Sequence, residues 1–265
     1  MLTQDQFAAL APIVRNVRAD VWASCGVLLP SGRLCDLCST PVDVQYQYCY
    51  SCQHNIISGG YGDALDGVVP YTFAVNTGRD MSQWYYDVKN YKASAQATPS
   101  LLRVMQVVQC FAWHLPCIRL AFNGIDCVAV VPSTQPRPFH WLVNIAPLWR
   151  LPVVPVSFTG DSGVWRQART VIPGMFTPGK SITGKRVLLL DDSWVTGRSL
   201  VSVAYDLKQL GAASVVGAPI ARILRSDWKV SRQYLEEWAS SGIPERFDPS
   251  ICPVNGQHCT TLVPF

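Results

Sequence analysis

The sequence predicts an α/β fold built on a doubly wound, mostly parallel sheet. Short apolar segments alternate with segments of helical periodicity, and this alternation is typical of a parallel sheet. The segments Cys127–Val131 and Val187–Leu190 consist of apolar residues only, as expected of strands that are buried on both faces.

The composition fits a globular chain. It has 265 residues, of which 49% are apolar and 15% are charged, so it can bury a sizeable core. The net charge of +4 is too small to indicate nucleic-acid binding by itself. Residues 1–10 lack the basic and apolar regions of a signal peptide, and no apolar run reaches the length of a membrane span. We therefore expect a cytoplasmic protein that does not enter a membrane.

The first half of the chain predicts four elements in order. Thr3–Gln6 resembles a capping box that begins a helix. Residues 67–75 have the apolar character of a strand. Asp80 caps a helix with apolar residues at intervals of three and four, and a threonine N-cap followed by proline begins another helix over about residues 98–115.

The second half continues the alternation. We predict a helix over residues 138–146 and a strand at Val153–Val156. A helix over about 198–210 has one apolar face and ends before a glycine, and the strand Ser214–Ile220 follows it. The structure of the last forty residues is not indicated by their pattern.

The pattern divides the chain into three regions. Residues 1–65 hold the N-terminal helix and a cysteine-rich module, residues 66–225 hold the α/β domain, and residues 226–265 form a C-terminal appendage.

Four cysteines in the N-terminal region have the spacing of a metal site. Cys35 and Cys38 form one Cys-x2-Cys pair, and Cys49 and Cys52 form another, with ten residues between the pairs. Four thiolates at this spacing suit a closed tetrahedral Zn²⁺ site. A disulfide framework or free thiols are the alternatives, and the expected reducing compartment disfavours the disulfides. The sequence predicts structural zinc here.

The remaining cysteines give a weaker signal. Cys25, Cys252, His258 and Cys259 would be the ligands of a second metal cluster, but nothing in the sequence brings Cys25 near the C-terminus. We favour scattered thiols and a surface histidine. Three further cysteines lie in apolar stretches and are predicted to be core residues. These are Cys110, Cys117 and Cys127.

The clearest candidate site follows the strand Val187–Leu190. Asp191 and Asp192 come at its carboxyl end, where open α/β sheets bind ligands. A turn through Gly197 then leads into a helix, and the free backbone N–H groups of a helix N-terminus bind phosphate. Paired carboxylates next to such a turn can accept hydrogen bonds from ribose hydroxyls or hold Mg²⁺ through water.

These residues resemble a known signature. Val187–Asp192 followed by Thr196–Leu200 is similar to the motif with which type I phosphoribosyltransferases bind phosphoribosyl pyrophosphate (PRPP). That motif has four apolar residues, two acids, a variable stretch, Thr-Thr-Gly, any residue, Thr or Ser, and an apolar residue. Val195 replaces the first threonine, and Ser193 and Trp194 replace small apolar residues.

A zinc ribbon ahead of such a domain resembles the competence protein F (ComF) family over about residues 30–225. The Tyr91-Lys92 end of a helix and the loop that leads to Arg137 belong to the resemblance. The family's Arg-Gly-Phe-Asn-Gln run is absent after Arg137, where Pro138–Trp141 stands instead.

The resemblance implies a Mg²⁺-dependent enzyme that transfers ribose 5-phosphate from PRPP to a nitrogenous acceptor, such as a nucleobase or an amine, and releases pyrophosphate. Asp191 and Asp192 would hold the ribose hydroxyls. The implied ligands of the 5-phosphate are Val195, Thr196, Gly197, Arg198 and Ser199.

The resemblance also implies a pyrophosphate loop and a lid. Ser133, Thr134 and Arg137 would contact the pyrophosphate, with Arg137 neutralising its charge. Arg166 and Arg169 lie in the expected lid, although each is equally explained as a solvated surface charge. Lys92 is a weaker candidate.

The acceptor itself is not indicated. Four aromatic residues are candidates for stacking on a base, although we favour packing as their role. They are Phe139, Trp141, Trp165 and Trp194.

A competing motif is rejected on geometry. Gly174–Ser181 fits the Walker A pattern, but a P-loop must open a helix. Only residues 182–186 separate this motif from the next strand, and a parallel crossover with its helix needs about ten residues or more. We interpret Gly174–Ser181 as a turn within the mobile loop over the site.

Two other functions remain open at this stage. Val195 removes a hydroxyl from the phosphate turn, which favours a PRPP or nucleotide sensor without turnover. A nucleic-acid-associated factor, with the cysteine module as its contact, is the other possibility. Between Cys35 and Cys52 there is no Lys or Arg to neutralise phosphate, which weighs against it.

Overall fold

The computed structural model of the protein describes residues 33–76, 82–93, 96, 98–135, 140–240 and 247–259, with only the backbone described at 238 and 239. The predicted N-terminal helix at Thr3–Gln6 lies outside these residues. In chain order the described elements are β1 (Arg33–Leu34), β2 (Pro41–Val42), α1 (Tyr50–Cys52, continued by a π turn at Gln53–Ile57), a 3-10 turn (Gly62–Ala64), β3 (Gly67–Val68), β4 (Thr72–Asn76), α2 (Gln83–Asn90), α3 (Pro99–Ala112), α4 (Leu115–Ala121), β5 (Cys127–Val130), α5 (Trp141–Ile145, followed by a 3-10 turn at Ala146–Trp149), β6 (Val153–Val154), β7 (Val156–Phe158), α6 (Ser162–Gln167), β8 (Phe176–Pro178), β9 (Arg186–Trp194), α7 (Arg198–Gln209), β10 (Ser214–Arg225) and α8 (Lys229–Ser240).

The central sheet is parallel, as predicted. Its strands follow the order β3-β10-β9-β5-β6. β4 also pairs with β10, at residues further along β10 than those that pair with β3. Every pair in this sheet is parallel. The α/β fold class is therefore confirmed.

Side-chain alternation along the strands gives the sheet two buried faces. In β9, Leu188 and Leu190 pack in one core cluster with helices α2 to α5. Val187 and Leu189 pack on the opposite face with α7 and the cysteine-rich module. The all-apolar run of Val187–Leu190 follows from this burial on both sides.

Two predicted strands are each divided at a proline. The segment 67–75 forms β3 and β4 separately, because Pro70 between them has no N–H to donate to the neighbouring strand. Pro155 likewise divides Val153–Val156. Its first half joins the parallel sheet as β6, and its second half begins β7, which pairs antiparallel with β8.

The predicted helix over 98–115 begins as expected and ends early. The Thr98 hydroxyl accepts a hydrogen bond from the Leu101 N–H at 3.1 Å, and Pro99 occupies the first turn. The helix α3 ends at Ala112, because Pro116 has no N–H for the carbonyl of that residue. A separate helix, α4, then begins.

Other predicted bounds shift by a few residues. The helix assigned to an Asp80 cap begins at Gln83, where the Ser82 hydroxyl accepts from the Tyr85 N–H at 3.2 Å, and Asp80 lies outside the described residues. The helix predicted over 138–146 is α5, which is shorter and ends in a 3-10 turn. Strands β9 and β10 both run further than predicted, because their pairing continues to Trp194 and Arg222.

None of the described helices is by itself long and apolar enough to cross a membrane, although the bent pair α3 and α4 meets that criterion jointly.

The segment 156–178, called the hood below, projects beside the sheet. It consists of β7, α6 and β8, and its interior is an aromatic cluster of Phe158, Trp165 and Phe176. The segment Gly174–Ser181, predicted to be a turn, contains the short strand β8. No helix follows Ser181, so the rejection of a P-loop is confirmed.

One carboxylate attaches the hood to α7. Asp206 is 4% exposed and accepts the N–H groups of Gly174, Met175 and Phe176 at 2.6, 2.9 and 2.9 Å. Burial raises the pKa of Asp206 despite these three hydrogen bonds.

We predict that Asp206→Ala lowers the free energy of unfolding by about 2–3 kcal/mol, because three N–H groups lose a charged acceptor. Urea denaturation measures this loss. Asp63→Ala, at an exposed position, serves as the control and should change stability by less than about 0.5 kcal/mol. Equal stability of the two variants would contradict the anchoring role of Asp206.

Candidate functional site

One pocket lies at the carboxyl edge of the sheet, next to the ends of β5 and β9. Its volume is about 290 Å³. It is lined by Tyr91, Lys92, Val131, Pro132, Ser133, Thr134, His140, Trp141, Leu142, Asp191, Asp192, Ser193, Val195, Thr196, Gly197, Arg198 and Ser199. The structure thus brings the predicted acidic pair, phosphate turn and Ser133–Thr134 loop together around one cavity.

The two carboxylates are half-buried and differ in their partners. Asp192 forms an ion pair with Lys92, and it also accepts hydrogen bonds from the Tyr91 hydroxyl at 3.4 Å and the Ser193 hydroxyl at 3.0 Å. Asp191 accepts the N–H of Asp192 at 2.8 Å. Lys92, the weaker candidate in the sequence, therefore lies in direct contact with the acidic pair.

These contacts set the ionisation of the pair. Burial, together with the neighbouring charge of Asp192, raises the pKa of Asp191 well above its ordinary value. Burial acts in the same direction on Asp192, but the Lys92 ammonium and the hydrogen bonds outweigh it and lower the pKa of Asp192. Asp192 is the more readily ionised of the two carboxyls.

The turn after β9 presents an open helix N-terminus. Gly197 is the N-cap of α7 with φ of +81°, and no side chain caps the first N–H groups of this helix. A Cβ at Gly197 would lie 2.3 Å from the ring of Trp194, which is fully buried beneath the turn. Glycine is therefore required both for the left-handed backbone and for the close approach to the tryptophan.

The side chains of the turn face different ways. Val195 and Thr196 are exposed at the pocket, and Ser199 lines it one residue into the helix. The Arg198 guanidinium is directed to the hood, where it donates to the carbonyls of Trp165 and Ala168 and stacks over the Trp165 ring at 4.2 Å. At this position the backbone N–H, rather than the guanidinium, is available to an anion.

The pyrophosphate and lid candidates have different outcomes. Ser133 and Thr134 line the pocket, and the Ser133 hydroxyl donates to the Gln135 carbonyl at 2.8 Å. Arg137 lies outside the described residues. Arg166 and Arg169 are exposed, on and just after α6, and neither lines the pocket.

The aromatic candidates divide similarly. Trp165 and Trp194 are buried and pack in the interior of the protein, whereas Trp141 lines the pocket. Phe139 lies outside the described residues.

The four cysteines of the N-terminal module converge. Their Sγ atoms lie within 4.8 Å of one another, and all four residues, Cys35, Cys38, Cys49 and Cys52, are buried. Cys38 Sγ and Cys49 Sγ are 3.7 Å apart, close to the roughly 3.8 Å expected between thiolates on one tetrahedral Zn²⁺. The cluster fits a structural zinc ion with no open coordination position.

A buried arginine connects this cluster to the phosphate turn. Arg222 on β10 is 2% exposed, and its Nη1 donates to the carbonyls of Trp194 at 2.8 Å and Ile223 at 2.6 Å. No carboxylate in the described part of the chain pairs with it. Burial opposes its charge, but the nearby thiols, with Cys38 foremost, outweigh burial and raise the pKa of Arg222.

The predictions for the other cysteines are partly wrong. Cys110 and Cys127 are buried core residues, as predicted. Cys117 is only half-buried, and it lies beside Cys252 and Cys259 rather than in the core. The expectation of scattered thiols therefore fails.

The second group of ligands also differs from the set considered in the sequence. Its histidine is His114, whereas His258 is exposed and contacts Ser250. Cys25 lies outside the described residues. The spacing His114-x2-Cys117 at the start of a helix is typical of two metal ligands. Cys252 and Cys259 are far from this pair in the sequence, so no local pattern indicates that the four residues lie together.

The sequence is similar to no protein-family model and to no curated protein. Among solved structures, part of the chain is similar to phosphoribosylpyrophosphate synthetase from Mycobacterium smegmatis, with 19% identity and a TM-score of 0.30 over 43% of this chain and 33% of that one. It is similar to a purine phosphoribosyltransferase from Pyrococcus horikoshii Ot3, with 20% identity and a TM-score of 0.28 over 44% of this chain and 83% of that one. A hypoxanthine phosphoribosyltransferase from Staphylococcus aureus gives 14% identity and a TM-score of 0.30 over 46% and 74% of the chains. These scores are too low to define an activity.

We predict that Arg222→Met lowers the free energy of unfolding by about 3 kcal/mol, because two carbonyls lose their donor and the cysteine cluster loses its counter-charge. Zinc should also leave the cluster roughly tenfold faster. Denaturation and zinc transfer to a coloured chelator measure the two effects.

The matched control is Arg225→Met, three residues further along the same strand at an exposed position. It should change stability by less than about 1 kcal/mol. If zinc transfer were the same in both variants, Arg222 would not support the cluster.

Proposed function

We propose that the protein binds PRPP and transfers its ribose 5-phosphate to a nitrogenous acceptor with release of pyrophosphate. The observation that carries the proposal is the arrangement of the acidic pair and an uncapped helix N-terminus around one pocket. A sugar phosphate needs hydroxyl acceptors and an anion site at a short separation, and this pocket offers both.

The phosphate would bind at the turn. The N–H groups at the start of α7 have no side-chain cap, and a helix N-terminus attracts anions through its dipole. The hydroxyls of Thr196 and Ser199 line the same side of the pocket. Val195 contributes only its backbone here, which makes the amides the main ligands.

The ribose would bind at the carboxylates. Asp191 and Asp192 lie next to the turn, so a pentose whose 5-phosphate occupies the turn would direct its ring hydroxyls to them. Departure of pyrophosphate gives C1 of the ribose oxocarbenium character, and nearby negative charge stabilises it. The protein would contribute mainly by positioning both ends of the sugar for the reaction.

The donor set suits Mg²⁺. The pocket offers carboxylate oxygens from Asp191 and Asp192, and hard cations such as Mg²⁺ prefer oxygen ligands and keep several waters. When bound with PRPP, Mg²⁺ would neutralise the pyrophosphate. Ser133 and Thr134 also line the pocket and would contact the same group, and Arg137 follows them in the chain.

The N-terminal module would be a structural zinc site that supports this pocket. A zinc ion held by its four buried thiols would have no open coordination position for catalysis. Its contact through Arg222 is with the strand that carries the acidic pair.

A sensor without turnover is the second candidate, and one contact favours it. Lys92 occupies an oxygen of Asp192, the carboxylate expected to hold a ribose hydroxyl. The pocket then combines a neutralised acid with a phosphate turn that lacks one hydroxyl at Val195. Such a pocket would bind PRPP and leave it intact.

We predict that PRPP with Mg²⁺ binds the wild-type protein and that Gly197→Ala weakens binding at least tenfold. The added methyl meets the Trp194 ring and strains the left-handed turn. Asp191→Asn with Asp192→Asn should also reduce the affinity. Isothermal titration calorimetry measures both effects.

Gly184→Ala provides the matched control. Gly184 also has a positive φ, of +71°, but it lies outside the pocket and its added methyl meets no atom within 4 Å. Its PRPP affinity should equal that of the wild type. Unchanged affinity in Gly197→Ala, or no binding by the wild-type protein, would refute the PRPP site.

We predict that the wild-type protein releases pyrophosphate from PRPP in the presence of Mg²⁺ and a panel of nitrogenous acceptors. Lys92→Met should lower this rate at least tenfold, because it removes the side-chain cation that would neutralise the departing pyrophosphate. Lys92 is the one lysine among the described lining residues, and the Arg198 guanidinium is directed to the hood. An enzyme-coupled pyrophosphate assay measures the rate.

Lys89→Met, at an exposed position on α2 three residues before Lys92, should change the rate far less, because Lys89 does not line the pocket. PRPP binding without pyrophosphate release for any acceptor would support the sensor instead of the transferase.

A further inference from the structure

Four potential metal ligands from distant parts of the chain meet where α4 contacts the C-terminal segment. The ligand atoms of His114, Cys117, Cys252 and Cys259 all lie within 4.8 Å of one another. Cys259 Sγ is 3.4 Å from Cys117 Sγ and 3.3 Å from His114 Nδ1. Zn²⁺ bonds of about 2.3 Å to sulfur and 2.0 Å to nitrogen place tetrahedral ligand atoms roughly 3.5–3.8 Å apart. The four atoms are close to that arrangement.

Each half of the cluster is fixed by its own local structure. His114 precedes α4 as its N-cap, and Cys117 comes three residues later, so both lie on one side of the helix. On the other half, the N–H of Cys252 donates to the Gln257 carbonyl at 2.7 Å, and the N–H of Cys259 donates to the Ser250 carbonyl at 2.8 Å. These bonds close a tight turn that holds its two cysteines together.

The hydrogen bond of the histidine determines which of its nitrogens is available. His114 is fully buried, and its Nε2 lies 2.8 Å from the Pro249 carbonyl oxygen. A carbonyl only accepts hydrogen bonds, so Nε2 carries the proton. The lone pair is then on Nδ1, which is the atom that faces Cys259. Metal-bound histidines are oriented in this way by a partner on their other nitrogen.

We propose that these four residues form a second structural zinc site, which fastens the C-terminal segment to the α/β domain. Three thiolates and one imidazole make a closed tetrahedral set with no position for a substrate. The site is independent of the PRPP pocket and of the four-cysteine module.

The C-terminal segment needs such a fastening. In residues 247–259, Phe247 packs on Tyr71, but the turn that carries Cys252 and Cys259 has exposed residues at Val254, Asn255 and Gln257. Small modules of this kind commonly use metal or disulfides to hold such turns in place.

A disulfide explains the geometry less well. The 3.4 Å between Cys117 Sγ and Cys259 Sγ is far longer than the roughly 2.05 Å of an S–S bond, and the described cysteines are free. A disulfide would also leave the third thiol and the directed Nδ1 of His114 without a function. A metal uses all four atoms.

Zinc content of the full-length protein, purified without chelators, tests the proposal. We expect two equivalents in the wild type, one for each cluster, and one equivalent in Cys252→Ala/Cys259→Ala. Cys110→Ala and His258→Ala are the matched controls, since each removes a neighbouring Cys or His outside the cluster, and both should retain two equivalents. Two equivalents in the double variant would overturn the site.

X-ray absorption at the zinc edge of the wild-type protein tests the proposal without any variant. The N-terminal module supplies only sulfur, so imidazole scattering reports the His114 site among the described ligands. We expect this scattering together with about two equivalents of zinc. A sulfur-only spectrum with one equivalent, or a Cys117–Cys259 disulfide detected by mass spectrometry after alkylation of fresh protein, would overturn the proposal.

Discussion

The charge of one buried arginine connects the two parts of the protein that matter most for its proposed function. Arg222 lies between the four-cysteine cluster and the carbonyls that end β9, and it has no carboxylate partner in the described part of the chain. Burying a guanidinium without a carboxylate partner is costly, so a negative group of a different kind must compensate its charge. Four thiolates on the proposed Zn²⁺ would carry a net double negative charge, which would supply that compensation. Metal binding by the cysteine module would then affect the strand that carries Asp191 and Asp192, through the hydrogen bond from Arg222 to the Trp194 carbonyl.

The same strand explains why the turn departs from the usual pattern. Trp194 is fully buried under Gly197, in a position where small residues are expected, and its backbone carbonyl accepts from Arg222. The large ring fills the space beneath the turn and fixes the height of the helix N-terminus above the sheet. The turn is therefore packed against the Trp194 ring, whereas the side chain of Val195 is exposed.

The sequence predicted the parts of the fold that depend on local pattern. The apolar run of Val187–Leu190, the Thr98 cap and the zinc spacing are local signals, and the fold class and the caps follow from them. The exact bounds were missed where prolines divide a pattern, as at Pro70 and Pro155, because hydrophobicity does not record a missing N–H. The Lys92–Asp192 pair and the role of Arg222 depend on contacts between residues far apart in the chain. No local sequence pattern predicts such contacts, so only the folded structure shows them.

The two proposed zinc sites belong to the cores on opposite faces of the sheet. The four-cysteine cluster belongs to the core on the side of α7, whereas Phe247, beside the second cluster, belongs to the core on the side of α3. Each cluster fastens a segment that is too small to build a core of its own. Neither cluster lines the pocket at the carboxyl edge of the sheet, which is where a parallel sheet binds its ligands. The two metal clusters would therefore stabilise the described part of the domain from its faces, away from the proposed PRPP pocket.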